Sequence, residues 1–400
     1  MRILLSEGSG LTSRQVAGQL GSLGHEVEIL SSSKICLTRF TKHVRAVHSV
    51  PRFGLDPFGW LEAAERIAGE SKTDLLFPTQ EQVTVLSARQ KHLRVATIVP
   101  PFAGLARVQD KISAFRALKA IGAPQPQTFV ISNEHDLRDV ATFPIFVKRP
   151  VSTASSGVRR ATNTRELEVA AREFGLGQSE LIAQSQAFGP LAMVQAVADR
   201  GRLVAHHACL RLREGVGGGA SLKESIVLPG FTDMLAMLVA ELDWHGALSM
   251  DLIVADGGPV IIDVNPRLVE PANALAAGVD LVAAMLEVAG DTPATARSSG
   301  RAGVRTRQTL LAILGAAERP GTRRPVLREA FDAIVARGDY AGSVEELTPI
   351  AGDPVAAVPV VAALAAALIY PSLWAKFHAG AVGPYAVTPK AWNEILAAAD

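Results

Sequence analysis

The segment 259–271 reads PVIIDVNPRLVEP. Val260, Ile261 and Ile262 have the β-branched character of a strand entering a core. Side chains two apart on a strand share a face, so Asp263 and Asn265 project together while Ile262 and Val264 face the other way. Upstream, LSMDLIVADGG (248–258) is a second strand carrying Asp251 and running into a turn. A three-residue loop over 256–258 pairs Ala255 with Pro259 and sets Asp251 directly opposite Asp263. Opposed side chains stand about 5 Å apart at Cβ, and two like charges there repel, so the arrangement makes sense around a cation. Two carboxylates and an amide oxygen are hard donors suited to Mg²⁺, which completes its shell with water and phosphate oxygens. Pro266 ends the ladder, and Arg267 enters a loop beside these groups, where a guanidinium can balance phosphate charge. The plainer alternative is a surface strand end with Asp and Asn as turn formers.

Around this segment the chain has the balance of a globular protein. Its 400 residues exceed one compact core, with 48% hydrophobic and 20% charged residues. A formal net charge of +1 gives no global field directed at nucleic acid or an anionic membrane. Two cysteines, Cys36 and Cys209, supply neither a disulfide framework nor a four-thiolate zinc site. With no signal-peptide core at the start, the expected location is cytoplasmic. The uncharged stretch 354–375 is long enough to cross a bilayer, but Pro354, Pro359 and Pro371 divide it into a helix of about three turns. Val361, Leu364 and Leu368 are expected on its buried face, and no membrane span is expected.

Strands alternate with helices at the start: RILLSEG, a helix from about Thr12 to Leu23 stopped by Gly24, EVEIL, then strands near 73–79 and 95–101. This predicts a parallel, Rossmann-like sheet over residues 1–105. Gly8-Ser9-Gly10 lacks the third glycine of a dinucleotide fingerprint and reads as a tight turn. QDKISAFRALKAIG predicts a helix ending at Gly122; FPIFVKRP, VRRATN and ELIAQSQ predict strands, and ELEVAAREFGLG a helix. Two further strands flank Arg200-Gly201. Arg211 and Arg213, two apart, share a face before the glycine-rich EGVGGGAS, either to hold an anionic substrate group or as an exposed strand edge. His206 and His207 point to opposite faces and make poor joint metal ligands, and Glu270 serves the acceptor pocket or a turn.

Taken in order, these motifs resemble the ATP-grasp superfamily over about residues 106–290. IIDVNPRL, twelve positions after Asp251, is similar to that family's metal-binding Glu-x-Asn-Pro-Arg, with Asp at 251 and 263 where many relatives carry Glu. The resemblance implies metal ligands Asp251, Asp263 and Asn265; phosphate contacts from Lys111 in QDK and Lys148 in FPIFVKRP; and a closing loop STASSG with Ser155, Ser156 and Gly157 over the phosphates. It puts Gln184 nearest the adenine, in LIAQSQ, and Arg267 with Arg211 and Arg213 at the reacting groups. Without the family, Lys111 also reads as a solvated residue at a helix start.

The implied fold is α/β: an N-terminal Rossmann-like (pre-ATP-grasp) domain at 1–105, a small ATP-grasp lobe at 106–185, a large lobe with the metal site at 186–300, and a mainly helical C-terminal region at 301–400. The implied cofactors are ATP and Mg²⁺ or Mn²⁺. The sequence looks most like the carboxylate-amine ligase and carbamoyl-phosphate-synthase-like branches. These imply an ADP-forming ligase that joins a carboxylic acid to an amine, both amino acids in the leading case, through an acylphosphate. A small-molecule kinase and a silent nucleotide-binding subunit are the alternatives, and a homodimer stays open.

Overall fold

The computed structural model describes residues 1–153, 157–290, 294–297, 299–319 and 323–399. It contains three sheets. The first is parallel, in the order β3-β2-β1-β4, from β1 (Arg2–Leu5), β2 (Glu26–Ser31), β3 (Val44–Ser49) and β4 (Leu75–Phe77). Ile3, Leu5, Val27 and Ile29 pack under the helix Leu11–Ser22, whose chain turns at Gly24 with φ +82°. The expected strand at 95–101 shrinks to one bridge, Leu76 to Thr97. Pro100 and Pro101 have no N–H to extend a ladder, although Ile98 and Val99 are buried. β3, a half-solvated edge, has no clear mark in the sequence.

The second sheet is antiparallel, β5 (Thr128–Ile131), β8 (Leu181–Ser185), β6 (Ile145–Lys148) and β7 (Val158–Ala161), in that spatial order. Alternate residues Ile145 and Val147 face a core shared with Leu167 and Ala171 of the helix Thr164–Glu173. The third sheet has seven strands in the order β13-β12-β9-β10-β11-β14-β15. These are β9 (Leu191–Asp199), β10 (Arg202–Glu214), β11 (Ala220–Ile226), β12 (Gly246–Ala255), β13 (Gly258–Asn265), β14 (Arg305–Arg307) and β15 (Val344–Glu345). Its last two strands come from beyond residue 300, so the C-terminal region adds to this sheet as well as carrying helices.

Helix Thr309–Glu318 lies against the glycine turn after β10 so closely that a Cβ at Gly315 would sit 2.7 Å from the Gly215 carbonyl carbon. In the uncharged stretch, the helix Ala357–Ile369 buries Val360, Ala363 and Ala367, with Leu364 and Leu368 partly covered. Val361 is 63% exposed, so the buried face is rotated from the one expected. Pro359 is tolerated in the first turn, where its missing N–H has no intrahelical partner. Among the described residues no helix is long and apolar enough to cross a membrane. The chain then returns to the N-terminal region: Trp392 of the helix Pro389–Ala397 packs on Phe102 at 5.9 Å, and Thr388 Oγ1 donates to Gly54 O at 2.8 Å.

Candidate functional site

The β12–β13 hairpin opposes Asp251 and Asp263, by a route the sequence reading does not anticipate. The turn is one residue shorter than expected, since Ala255 pairs with Gly258. A bulge at Ile262 then shifts the register, so that Asp251 faces Asp263 and Ser249 faces Asn265. The bulge also alters the faces. Ile261 and Val264 are buried in the core, and Asp263, Val264 and Asn265 border one cavity together with Ile262. Its carbonyl accepts from Lys148 Nζ at 2.8 Å. Beyond Asn265, the Arg267 N–H returns to Asn265 O at 2.8 Å and Ser249 Oγ donates to Arg267 O at 2.6 Å, which fixes the loop around Pro266.

Lys111 and Lys148 approach this hairpin from the other side of a cavity of about 640 Å³. Asp110 caps the helix Lys111–Ala120, accepting from the N–H groups of Ile112 and Ser113, so Lys111 leads into the cavity. Its Nζ bonds both Asp263 oxygens at 2.7 and 3.0 Å. Lys148, at the end of β6, is buried and also bonds Gln184 Oε1 at 2.7 Å. Gln184 Nε2 donates to Thr128 Oγ1 at 3.3 Å. Arg267 completes the ring of cations, with Nε 3.1 Å from Glu81 Oε1 and its guanidinium 6.0 Å from the Tyr385 ring.

The charges are strongly biased by burial. Desolvation, followed by repulsion from Asp263, pushes the Asp251 carboxyl up to about 6. Burial opposes ionisation of Asp263 too, but Lys111 and Lys148 outweigh it and hold that carboxyl below its ordinary range. Burial, with repulsion from Lys111, lowers Lys148 to about 8. Burial works against the charge on Arg267, yet Glu81 holds its pKa raised.

This donor set fits a hard divalent cation. The Asp251 carboxylate has no hydrogen bond or ion pair among the described residues, although it directly opposes another carboxylate. Among those residues no group of three His, Cys, Asp or Glu side chains converges as a metal cluster. Asp251, Asp263 and Asn265 line one cavity and are donors of the type that Mg²⁺ takes together with water and phosphate oxygens.

The other sequence-selected residues separate. Arg211 lines the cavity, with Nη1 donating to Gly218 O at 2.5 Å and Nη2 3.3 Å from Glu214. A bulge at Leu212 parts it from Arg213, which is held instead by Glu329 at 2.9 Å, by Asp339 and by the Tyr340 ring. Arg213 thus ties β10 to the C-terminal region, away from the cavity, and the two arginines do not act as a pair. Ser155 and Ser156 lie outside the described residues. Ser152 and Thr153 line the cavity, and Gly157 O accepts from Arg149 N–H at 2.9 Å at the base of the loop. His206 and His207 go separate ways, to Thr232 and Asn273.

Sequence reasoning misses several groups. Glu81 follows β4, at the carboxyl end of a parallel strand where ligands commonly bind, and that position was its available signal. Lys223 on β11 bonds Glu270 at 2.5 Å and Glu346 at 2.6 Å, and Gln308 bonds both carboxylates. Its only sequence mark is a cation on a strand with buried neighbours. Tyr385 reaches the cavity from the far end of the chain, where no motif marks it.

Comparison with known proteins follows the same outline. Residues 108–271 match the family described as the ATP-grasp domain. Solved structures agree over a longer span. A biotin carboxylase complex from Campylobacter jejuni superposes with a TM-score of 0.61 at 18% identity, covering 76% of this chain and 74% of that one. An ADP complex of N5-carboxyaminoimidazole ribonucleotide synthetase gives 0.60 at 14%, covering 80% and 84%. The architecture is that of the ATP-grasp enzymes. An L-amino acid ligase from Bacillus licheniformis superposes with a TM-score of 0.55 at 17% identity over 72% of this chain and 73% of that one. In sequence, the carbamoyl phosphate synthase large chain of Thermoplasma acidophilum is 23% identical over 230 residues, or 52% of this chain. This chain spans 22% of the length of that curated relative.

Proposed function

We propose that the protein is an ATP-dependent, ADP-forming ligase that activates a carboxylic acid as its acylphosphate and passes the acyl group to an amine. The observation that supports this reading is the convergence, in one cavity, of two opposed carboxylates with Lys111, Lys148 and Arg267. Cations and hard-metal donors suit a polyphosphate, and phosphoryl transfer needs positioning and charge balance more than a protein nucleophile.

Asp251, Asp263 and Asn265 would hold Mg²⁺ or Mn²⁺, which draws charge from the phosphate oxygens. Lys148, anchored by Gln184 and the Ile262 carbonyl, presents its ammonium to the nucleotide phosphates. Lys111, which bonds both oxygens of Asp263, would share its charge with a bound phosphate. Arg267, held in place by Glu81, presents its planar fork to the transferring group. A carboxylate oxygen of the acid attacks the γ-phosphorus, the β–γ bridging bond breaks, and ADP leaves. The amine nitrogen then attacks the acyl carbon, the C–O bond to phosphate breaks, and the nitrogen's proton passes to solvent. Ser152 and Thr153, which line the cavity, would help to shield the acylphosphate from water.

A carboxylating use, with bicarbonate as the acid, is the second reading, since the similar structures include a biotin carboxylase and the biotin carboxylase domain of a 2-oxoglutarate carboxylase in complex with ADP and bicarbonate. Purified protein with Mg-ATP, assayed for ADP release against paired acids and amines and against bicarbonate, tests both. ADP and phosphate that form only with acid and amine together, with the amide seen by mass, support the ligase. A stable phosphate ester, or no turnover with any pair, contradicts it.

A further inference from the structure

A second cavity, of about 850 Å³, adjoins the first and shares Gly217, Gly219 and Tyr385 with it. Its wall is largely apolar, with Ile35, Phe40, Leu311, Leu314, Val358 and Phe377 contributed by the N-terminal loops and the C-terminal helices. Ile35 is 79% exposed, Val358 48% and Phe377 38%, although they line a concave space. The wall is fixed across the chain: Ser9 Oγ donates to Ala381 O at 2.8 Å and Arg52 Nε to Gly383 O at 2.9 Å.

The charge around it has one sign. Arg52, Lys376 and His378 line the cavity, and no Asp or Glu does so among the described residues. Glu7 and Glu318 bond to its lining but are turned onto backbone N–H groups, those of Ser9 and Gly10 and that of Gly217. A cationic amine finds no counter-charge here. An anion with an apolar body fits both parts, with its head in the polar cavity and its body in this one. Tyr385 stands at the junction, and its hydroxyl has no hydrogen-bond partner among the described residues.

We infer that the acid activated by this protein is an apolar carboxylic acid, of medium-chain or arylalkyl type, whose carboxylate lies near Arg267 while its body passes Tyr385 and Gly217 into the second cavity. The inference rests on the ligase reading for its chemistry, and on the two joined cavities for its substrate class.

The test uses the full chain with Mg-ATP and hydroxylamine as a general nucleophile, comparing acetate, butanoate, hexanoate, octanoate and 3-phenylpropanoate by ADP release and hydroxamate formation. Calorimetry of octanoate binding runs in parallel and needs no turnover. The expected result is a kcat/KM for octanoate at least about tenfold above acetate, as burial of six further methylenes allows. Ala362→Trp and Ala379→Trp replace exposed residues of the wall and should cut that preference at least about tenfold, with folding checked by thermal denaturation. Equal use of short and long acids, or a preference that neither tryptophan alters, overturns the inference and leaves the ligase reading intact. No turnover of any acid, with octanoate binding that the tryptophans weaken, supports the apolar-acid site and overturns the ligase reading. Absence of octanoate binding, or a dimer in solution that occludes the cavity, overturns the inference.

Discussion

Asp251 and Asp263 stand directly opposed, yet their carboxyls respond in opposite directions because the cations lie closer to Asp263. For Asp251 the folded value, about 6, is above the ordinary 3.8, so the folded state holds the proton more tightly. Its contribution to stability is therefore lost as pH rises from about 4 through about 6. Lys148 is the reverse: with a folded value near 8 against 10.5, its burial penalty is relieved as pH rises above about 8. A bound cation needs ionised Asp251 and a bound phosphate needs charged Lys148. Mg-ATP affinity should thus follow a bell, with limbs near 6 and 8 that bound charges spread further apart. Titration calorimetry from pH 5 to 9 checks this, and Asp251→Asn should flatten the acid limb while weakening binding overall. Asp263→Ala and Lys148→Ala should each lower ADP formation by about a hundredfold or more, with the fold intact by circular dichroism. Arg267→Lys should lose rate as well, because an ammonium cannot reproduce the fork held by Glu81; equal turnover assigns Arg267 to structure.

Strands and helices carry these groups, and their closest approaches are where substitution should be felt. Gly315 meets the backbone of Gly215 and Val216, so Gly315→Ala forces the helix Thr309–Glu318 away from the turn that lines both cavities. A loss of about 1–3 kcal/mol in chemical denaturation is expected. The same scale shows what the sequence makes legible. Period-two patterning and Pro266 are enough to identify the hairpin, whereas the pairing of Asp251 with Asp263 follows in the sequence only from a three-residue loop that the structure replaces. They do not reveal that a short turn and a bulge at Ile262 produce that register together, because a bulge has no compulsory residue type. Lys148 stands out as a single charge on an apolar strand, but Arg211 and Arg213 look equivalent until the bulge at Leu212 separates them. Tyr385 joins the site through tertiary packing, which no local pattern encodes, and Glu81 and Lys223 carry only the weak marks of their places after β4 and on β11. Val361 was expected on the buried face, but an alanine-rich helix has too little contrast between its sides to fix rotation, and Val360 is buried instead.

Over the whole molecule, the C-terminal region is tied to the N-terminal sheet by buried charge. Arg14 and Asp353 pair at 2.9 Å with almost no exposure, and Gln15 reaches Glu346, itself bound to Lys223. Asp353→Ala leaves Arg14 charged and buried, so a loss of about 3–5 kcal/mol is expected in denaturant unfolding. The double change Arg14→Leu with Asp353→Leu should recover part of it, and a double variant no better than the single would show that the pair has no such coupling. Both ends of the chain thereby border the cavity that the hairpin opens, with Glu81 from one and Tyr385 from the other beside Arg267. In the proposed function, Asp251, Asp263 and Asn265 receive a magnesium-bound triphosphate against Lys111 and Lys148. Calorimetric titration of ATP, with and without Mg²⁺, into the wild-type chain and Asp263→Asn tests it most directly. Uptake should depend on Mg²⁺ in the wild type and lose that dependence in the variant; nucleotide affinity indifferent to Mg²⁺, or unchanged by the substitution, would mean that these side chains hold no metal-bound nucleotide.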